Sequence, residues 1–166
     1  MLMKGQKKLL IDDRNIIINF DVVNEDWGKL KAYGMSYEAI KIALNLDNYG
    51  LTNNRTHYAS YKNKLCGDKI EIELNVNKVK INSMRYETES CVYCQASASI
   101  LSKIISSLSI SKLKKEKSLI RNIFFKKNLT LPKKYKLFKD LVNSKNKSRL
   151  ECIMLPFDAL IKALKI

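Results

Sequence analysis

No run of about 18 apolar residues occurs among the 166 of this chain, so the sequence holds no candidate for a membrane-crossing helix. The opening segment, MLMKGQKKLLIDD, has basic residues but neither an apolar stretch of secretory length nor a small-residue cleavage site. A cytoplasmic protein with no membrane contact is the expectation. There are no internal repeats. C-x-x-C occurs once, at Cys91 and Cys94, which excludes a zinc ribbon with its two such pairs. Histidine is limited to His57, in a stretch that reads as a strand, where a structural role is expected.

What the chain has in excess is positive charge. Its formal net charge is +15, and composition is 46% hydrophobic and 28% charged, within the range of one globular domain. Between residues 112 and 147 there are 13 Lys or Arg against 2 acids. An acidic partner, a nucleic acid or a plain solvated surface would each suit that stretch. It has few aromatic residues placed as stacking platforms and no nucleic-acid-binding fingerprint, so nucleic acid is not the expected partner.

Residues 1–35 are nearly balanced in charge, with 6 basic and 5 acidic residues, and form an extension of unassigned role. Ile16–Ile18 reads as a short strand and Asp26-Trp27-Gly28 as a turn. Ser36 is a candidate N-cap for a helix whose Ile40, Ala43 and Leu44 share a face, with Gly50 as its stop. KIEIELNV alternates, with Ile70, Ile72, Leu74 and Val76 on one side and Lys69, Glu71, Glu73 and Asn75 on the other. Asn77-Lys78 turns the chain. The next strand starts with Val79 and Ile81 in phase, while Met84 and Tyr86 fall in the opposite phase, which predicts a bulge near Asn82-Ser83. HYASYKN is a third candidate strand. Helical stripes follow: Ile100, Leu101, Ile104, Ile105 and Leu108; Leu137, Phe138, Leu141 and Val142; and Ala159, Leu160, Ala163 and Leu164, with Pro156 placed in the first turn of the last helix. The result is an α+β domain over residues 36–166: a small three-stranded antiparallel sheet, one helix before it and several after.

Each cysteine falls at an element boundary. Cys66 leads through Gly67 and Asp68 into a strand, Cys91 opens the Ala/Ser-rich helix, and Cys152 is expected just before the last helix. Gly67 lets the backbone turn so that Cys66 and Asp68 can face one centre. Three thiolates and a carboxylate form a four-ligand set for Zn²⁺, and the same thiolates can hold iron and sulfide. A free cysteine is equally often a small buried hydrophobe, so spacing alone does not decide.

The words around the cysteines do more. NKLCGDKIEIEL resembles the N-P-x-C-G-D-x-[IV] segment of the IscU/SufU/NifU-N family of iron–sulfur cluster assembly scaffolds. CVYCQASASIL is similar to that family's C-x-I-S-x-A-S-A-S-[ML] block, and RLECIMLPFDALIKAL to its R-x-K-C-x-x-L-x-W-x-A-L block. NYGLTN resembles the segment ahead of the first block. Register against Ala96-Ser97-Ala98-Ser99 places the family cysteine at Cys91 and leaves Cys94 as a bystander.

The resemblance implies a SufE/IscU-like fold with Cys66, Asp68, Cys91 and Cys152 around one metal or cluster site. Arg149 matches the family arginine, and Cys152 is the implied acceptor of persulfide sulfur from a cysteine desulfurase. The bound species would be a transient iron–sulfur cluster or Zn²⁺, and downstream iron–sulfur acceptor proteins would be further partners. A scaffold with zinc-dependent sulfurtransferase activity remains open, as does a structural zinc domain with a nucleic-acid-binding basic surface. The 60 residues between Cys91 and Cys152 resemble the longer SufU branch. LPKKY at 131–135 is only a partial echo of the chaperone-binding segment of the IscU branch. Two of the positions that depart from the pattern are Phe157, which stands for tryptophan, and Glu151, which stands for the Lys or His before the third cysteine. A carboxylate beside Cys152 would either add an oxygen ligand or disfavour the neighbouring thiolate.

Overall fold

The computed structural model describes residues 37–64, 66–126 and 128–166, plus the backbone of two short strands in the leader. Those strands, β1 (Leu10–Ile11) and β2 (Ile16–Ile17), pair antiparallel. Ile18, the Asp26-Trp27-Gly28 turn and the Ser36 cap lie outside the described residues.

Helix α1 (Tyr37–Ala43) buries Ala39, Ile40 and Ala43, and Leu44 follows it into the core. That is the apolar face expected from helical spacing. The helix ends earlier than Gly50, however. Gly50 has φ +92°, and its N–H donates to the Tyr86 carbonyl at 2.9 Å. This glycine therefore docks the connecting segment onto a strand edge; it does not stop the helix.

Strands β3 (His57–Lys62), β4 (Lys69–Asn77) and β5 (Lys80–Glu89) form an antiparallel sheet in that order. Ile70, Ile72 and Leu74 are fully buried, as the alternation requires. Between β4 and β5 the register jumps from Asn75 opposite Ser83 to Val76 opposite Ile81. Asn82 is thus the extra residue, and the bulge restores the phase that puts Ile81, Met84 and Tyr86 in the core together. Two expectations change here. The turn is Lys78-Val79, with Lys78 at φ +54° and Val79 82% exposed, so Val79 does not share the inner face with Ile81. Glu73, expected on the solvent side, is buried. Its carboxylate accepts the N–H groups of Thr52 and Asn53 at 2.8 and 2.7 Å and pairs with Arg55 at 2.9 Å. The loop ahead of β3 has folded over it.

Helix α2 (Val92–Ile104) is buried from Val92 to Ser102, so it is a central helix with no solvated face along that length. Only small residues allow such close approach on several sides. Ala96 and Ala98 are fully buried, Ser97 donates to the Ile153 carbonyl at 2.6 Å, and Ser99 donates to the Asn45 carbonyl at 3.0 Å. Helix α3 (Leu113–Ile123) follows, then 3-10 segments at Lys133–Phe138 and Ser144–Arg149. In the first of these Phe138 is buried but Leu137 is 53% exposed, because 3-10 geometry does not keep both on the α-helical stripe predicted for them. The rings of Tyr135, Phe138 and Phe157 pack at centroid separations of 5.5–6.3 Å, which joins the segment to the last helix.

Helix α4 (Leu150–Leu164) lies against α2, β3 and β4. It begins two residues before Cys152, so Cys152 stands in its first turn and not ahead of it. Pro156 is correspondingly inside the helix and not in the first turn. It lacks the N–H that would meet the carbonyl of Cys152, four residues back. No described helix is long and apolar enough to cross a membrane.

Candidate metal centre

A short loop between β3 and β4 sets the geometry. The Asn63 N–H donates to the Asp68 carbonyl at 2.8 Å, and the Gly67 N–H donates to the Asn63 carbonyl at 2.9 Å. Gly67 takes φ +79°, a backbone region in which a side chain is strained. The loop leaves Cys66 exposed at its tip and Asp68 only 9% exposed at its base.

From across the sheet edge, Cys91 caps α2 and its N–H donates to Asp68 Oδ1 at 3.3 Å. Asp68 Oδ2 is buried and accepts no hydrogen bond. Helix α4 then brings in Cys152, 6% exposed. One ligand atom each from Cys66, Asp68 and Cys152 lie within 4.8 Å of one another. Cys91 is not one of that trio, and its thiol interacts with that of Cys152.

The electrostatics of that thiol pair are asymmetric. Cys91 is held below the ordinary thiol range, first because the Cys152 thiol donates to it, and further because the N–H groups of Cys94 and Tyr93 point at it. Cys152 is driven up by that same bond, by burial, and by the negative charge of Cys91, Asp68 and Cys66 around it. Burial also pushes the Cys66 thiol up. The two soft sulfurs of Cys66 and Cys152 and a carboxylate with a buried, unpartnered oxygen make a set that suits a cation.

Other residues singled out from the sequence lie elsewhere. Cys94 is fully buried beside Thr88, whose Oγ1 is 3.9 Å away, and burial raises its thiol far above the ordinary range. His57 sits at the far end of β3 from the cysteine loop, with Nδ1 2.9 Å from Thr56 Oγ1. Arg149 is exposed and lies over the Tyr93 ring at 5.8 Å. Glu151 is not among the clustered ligand atoms and forms a two-pronged ion pair with Arg121 of α3. The basic stretch spends further cations the same way, with Lys117 on Asp158 and Lys134 on Glu116. These pairings have no local sequence signal. Arg121 and Glu151 are 30 residues apart, and only the packing of α3 on α4 shows that they meet.

An α+β domain with a cysteine and carboxylate centre at the meeting of a strand loop and two helix starts is thus defined. The sequence matches the family described as NifU-like N terminal domain over residues 35–165, and the chain belongs to that family. No curated protein matches it. Three solved structures share its fold. A NifU-like protein (N-terminal) from Brucella abortus is 20% identical, with a TM-score of 0.65, covering 78% of this chain and 91% of the other. A putative iron–sulfur cluster assembly scaffold protein for the SUF system from Fervidobacterium islandicum AW-1 is 22% identical, with a TM-score of 0.63 and coverage of 78% and 96%. A hypothetical protein is 16% identical, with a TM-score of 0.62 and coverage of 82% and 99%.

Proposed function

We propose that this protein is an iron–sulfur cluster assembly scaffold in which Cys66, Asp68, Cys91 and Cys152 hold the nascent cluster, its iron, or Zn²⁺. The observation that carries the reading is the convergence of Cys66, Asp68 and Cys152 around a buried carboxylate oxygen that has no other partner. Family membership supports it. A cation binding at thiols displaces their protons, so loading releases protons and strengthens as pH rises. Asp68 supplies one hard oxygen among soft sulfurs, a weaker bond that suits a site whose cargo has to leave.

Sulfur comes as a persulfide from a cysteine desulfurase. A site thiolate attacks the outer sulfur, the bond between the donor's two sulfurs breaks, and the donor leaves as a thiolate. Cys152, the acceptor implied by resemblance, is buried, whereas Cys66 is exposed. An external donor therefore meets Cys66 first, and Cys152 lies close enough to receive the sulfur from it by the same exchange. Completed clusters pass to downstream acceptor proteins.

Metal analysis of protein purified without air, then intact-mass measurement after incubation with a desulfurase and cysteine, tests the reading. Bound zinc or iron together with added sulfur is expected. A metal-free protein that also gains no sulfur overturns it.

A further inference from the structure

Beside the centre runs an open groove of about 400 Å³ between the end of β3 and the outer face of α4. We propose that this groove docks an acidic, extended peptide segment of the partner that brings sulfur to Cys66; the proposal rests on the scaffold reading above.

The argument begins with charge. Lys62, Lys64 and Lys162 line the groove, and all three are exposed. Two acids, Glu151 and Asp158, line it as well, but α3 reaches over and neutralises both, with Arg121 on Glu151 and Lys117 on Asp158. The three lysines are left uncompensated by any acid of the groove itself.

Position is the second part. One wall is the chain that runs from Lys62 into the loop carrying Cys66, and the opposite wall includes Glu151, the neighbour of Cys152. The groove wall ends at Lys64, two residues before the exposed Cys66. The free edge of β3 is partly closed, since Lys162 Nζ donates to the Ser60 carbonyl at 2.8 Å. The groove therefore recognises its occupant through side-chain charge more than through an added strand.

A nucleic acid fits less well, because the one ring in the groove, Tyr61, is already engaged by the Lys162 ammonium at 5.7 Å, and no second ring is there to stack a base. Carboxylates on a peptide can be spaced to meet Lys62, Lys64 and Lys162.

Two reagents test the proposal. Each is a pentapeptide whose central cysteine is activated as a thiopyridyl disulfide, flanked by glutamates in one and by glutamines in the other. The Cys66 thiolate attacks the peptide sulfur and thiopyridone leaves, so absorbance gives the rate and peptide mapping gives the site. Dividing by the rate with uncharged dithiodipyridine removes changes in intrinsic thiol reactivity. At low ionic strength the glutamate reagent should react about tenfold faster than the glutamine one, a preference that fades with added salt. The Lys62→Glu/Lys64→Glu double variant should lose the preference, while Lys133→Glu/Lys136→Glu, outside the groove, should keep it. Equal rates for both reagents on the unaltered protein overturn the proposal, as does an equal loss in the two double variants. Metal loading is measured in parallel on the unaltered protein. Absence of loading sinks the scaffold reading without touching the charge preference, so the two failures are told apart.

Discussion

The N–H of Cys91 donates to Oδ1 of Asp68 at 3.3 Å, which leaves Oδ2 of the same carboxylate buried and free to take a ligand. One oxygen holds the start of α2 against the β3–β4 loop, and the other has no hydrogen-bond partner. Substitution should separate the two tasks. Asp68→Asn retains an oxygen that accepts from Cys91 but loses the anionic ligand. It should leave the melting temperature nearly unchanged while weakening zinc or iron binding at least about tenfold. Cys66→Ala, Cys91→Ala and Cys152→Ala should each abolish loading. Full loading in any of these three, measured by metal content, is incompatible with a shared centre.

The four thiols should differ sharply in reactivity toward an alkylating reagent. In metal-free protein Cys66 should label first because it is exposed, and Cys94 should resist until the protein unfolds. Zinc added beforehand should protect Cys66, Cys91 and Cys152. Peptide mapping over time gives the order, and early labelling of Cys94 would mean that α2 is not packed as described. Cys94→Ala should keep metal loading and cost about 1 kcal/mol for the small void.

The centre was readable in the sequence to the extent that local words carry it. The turn through Gly67, the start of α2 at Cys91 and the Ala/Ser run all lie within a few residues of a thiol, and the bulge at Asn82 followed from a phase change between Ile81 and Met84. What stayed hidden depends on contacts distant in sequence. Glu73 alternates as a solvent residue and is buried only because the Thr52–Arg55 loop folds over it. Helix α4 starts earlier than Pro156 suggested, because the packing of α4 on α2, β3 and β4 tolerates an interior proline that propensity alone would push to the first turn.

The small-residue run makes a quantitative demand. Ser97 is fully buried and donates to the carbonyl next to Cys152 at 2.6 Å. Ser97→Ala should cost about 1 kcal/mol through the lost hydrogen bond. Ser97→Val should cost more, about 1–3 kcal/mol, because added methyl groups force α2 and α4 apart. Chemical denaturation measures both. Metal affinity should fall in the valine variant, where the Cys91–Cys152 spacing is disturbed, and hold in the alanine variant.

Glu73 gives a pH test away from the thiols. Burial alone would raise its carboxyl, but the N–H groups of Thr52 and Asn53, the Thr52 hydroxyl and Arg55 outweigh it and hold the group below the ordinary carboxylate range. A depressed folded-state value means that the stabilisation is complete above the unfolded value of about 4.3 and is lost as pH falls through the folded one. The difference in unfolding free energy between the unaltered protein and Glu73→Gln should therefore be constant near neutrality and shrink below about pH 4. At pH 7 it should be about 2 kcal/mol, typical of hydrogen bonds to a charged group. A difference that grows on acidification contradicts this arrangement.

Glu151 raised the question whether a carboxylate beside the third cysteine disturbs the centre. Arg121 occupies both of its oxygens, and each member of the pair is 42% exposed. A pair that open to solvent contributes less than about 1 kcal/mol. Glu151→Gln should therefore change stability little and leave metal loading intact, whereas a ligand role would make it as damaging as Asp68→Asn. Because Arg121 cancels the charge of Glu151, Arg121→Gln is the more informative variant. It leaves a bare carboxylate at the mouth of the groove, and the acidic thiopyridyl peptide should then react with Cys66 more slowly than with the unaltered protein at the same ionic strength. A rate unaffected by Arg121→Gln would mean that the charge of Glu151 is not felt along the path to Cys66.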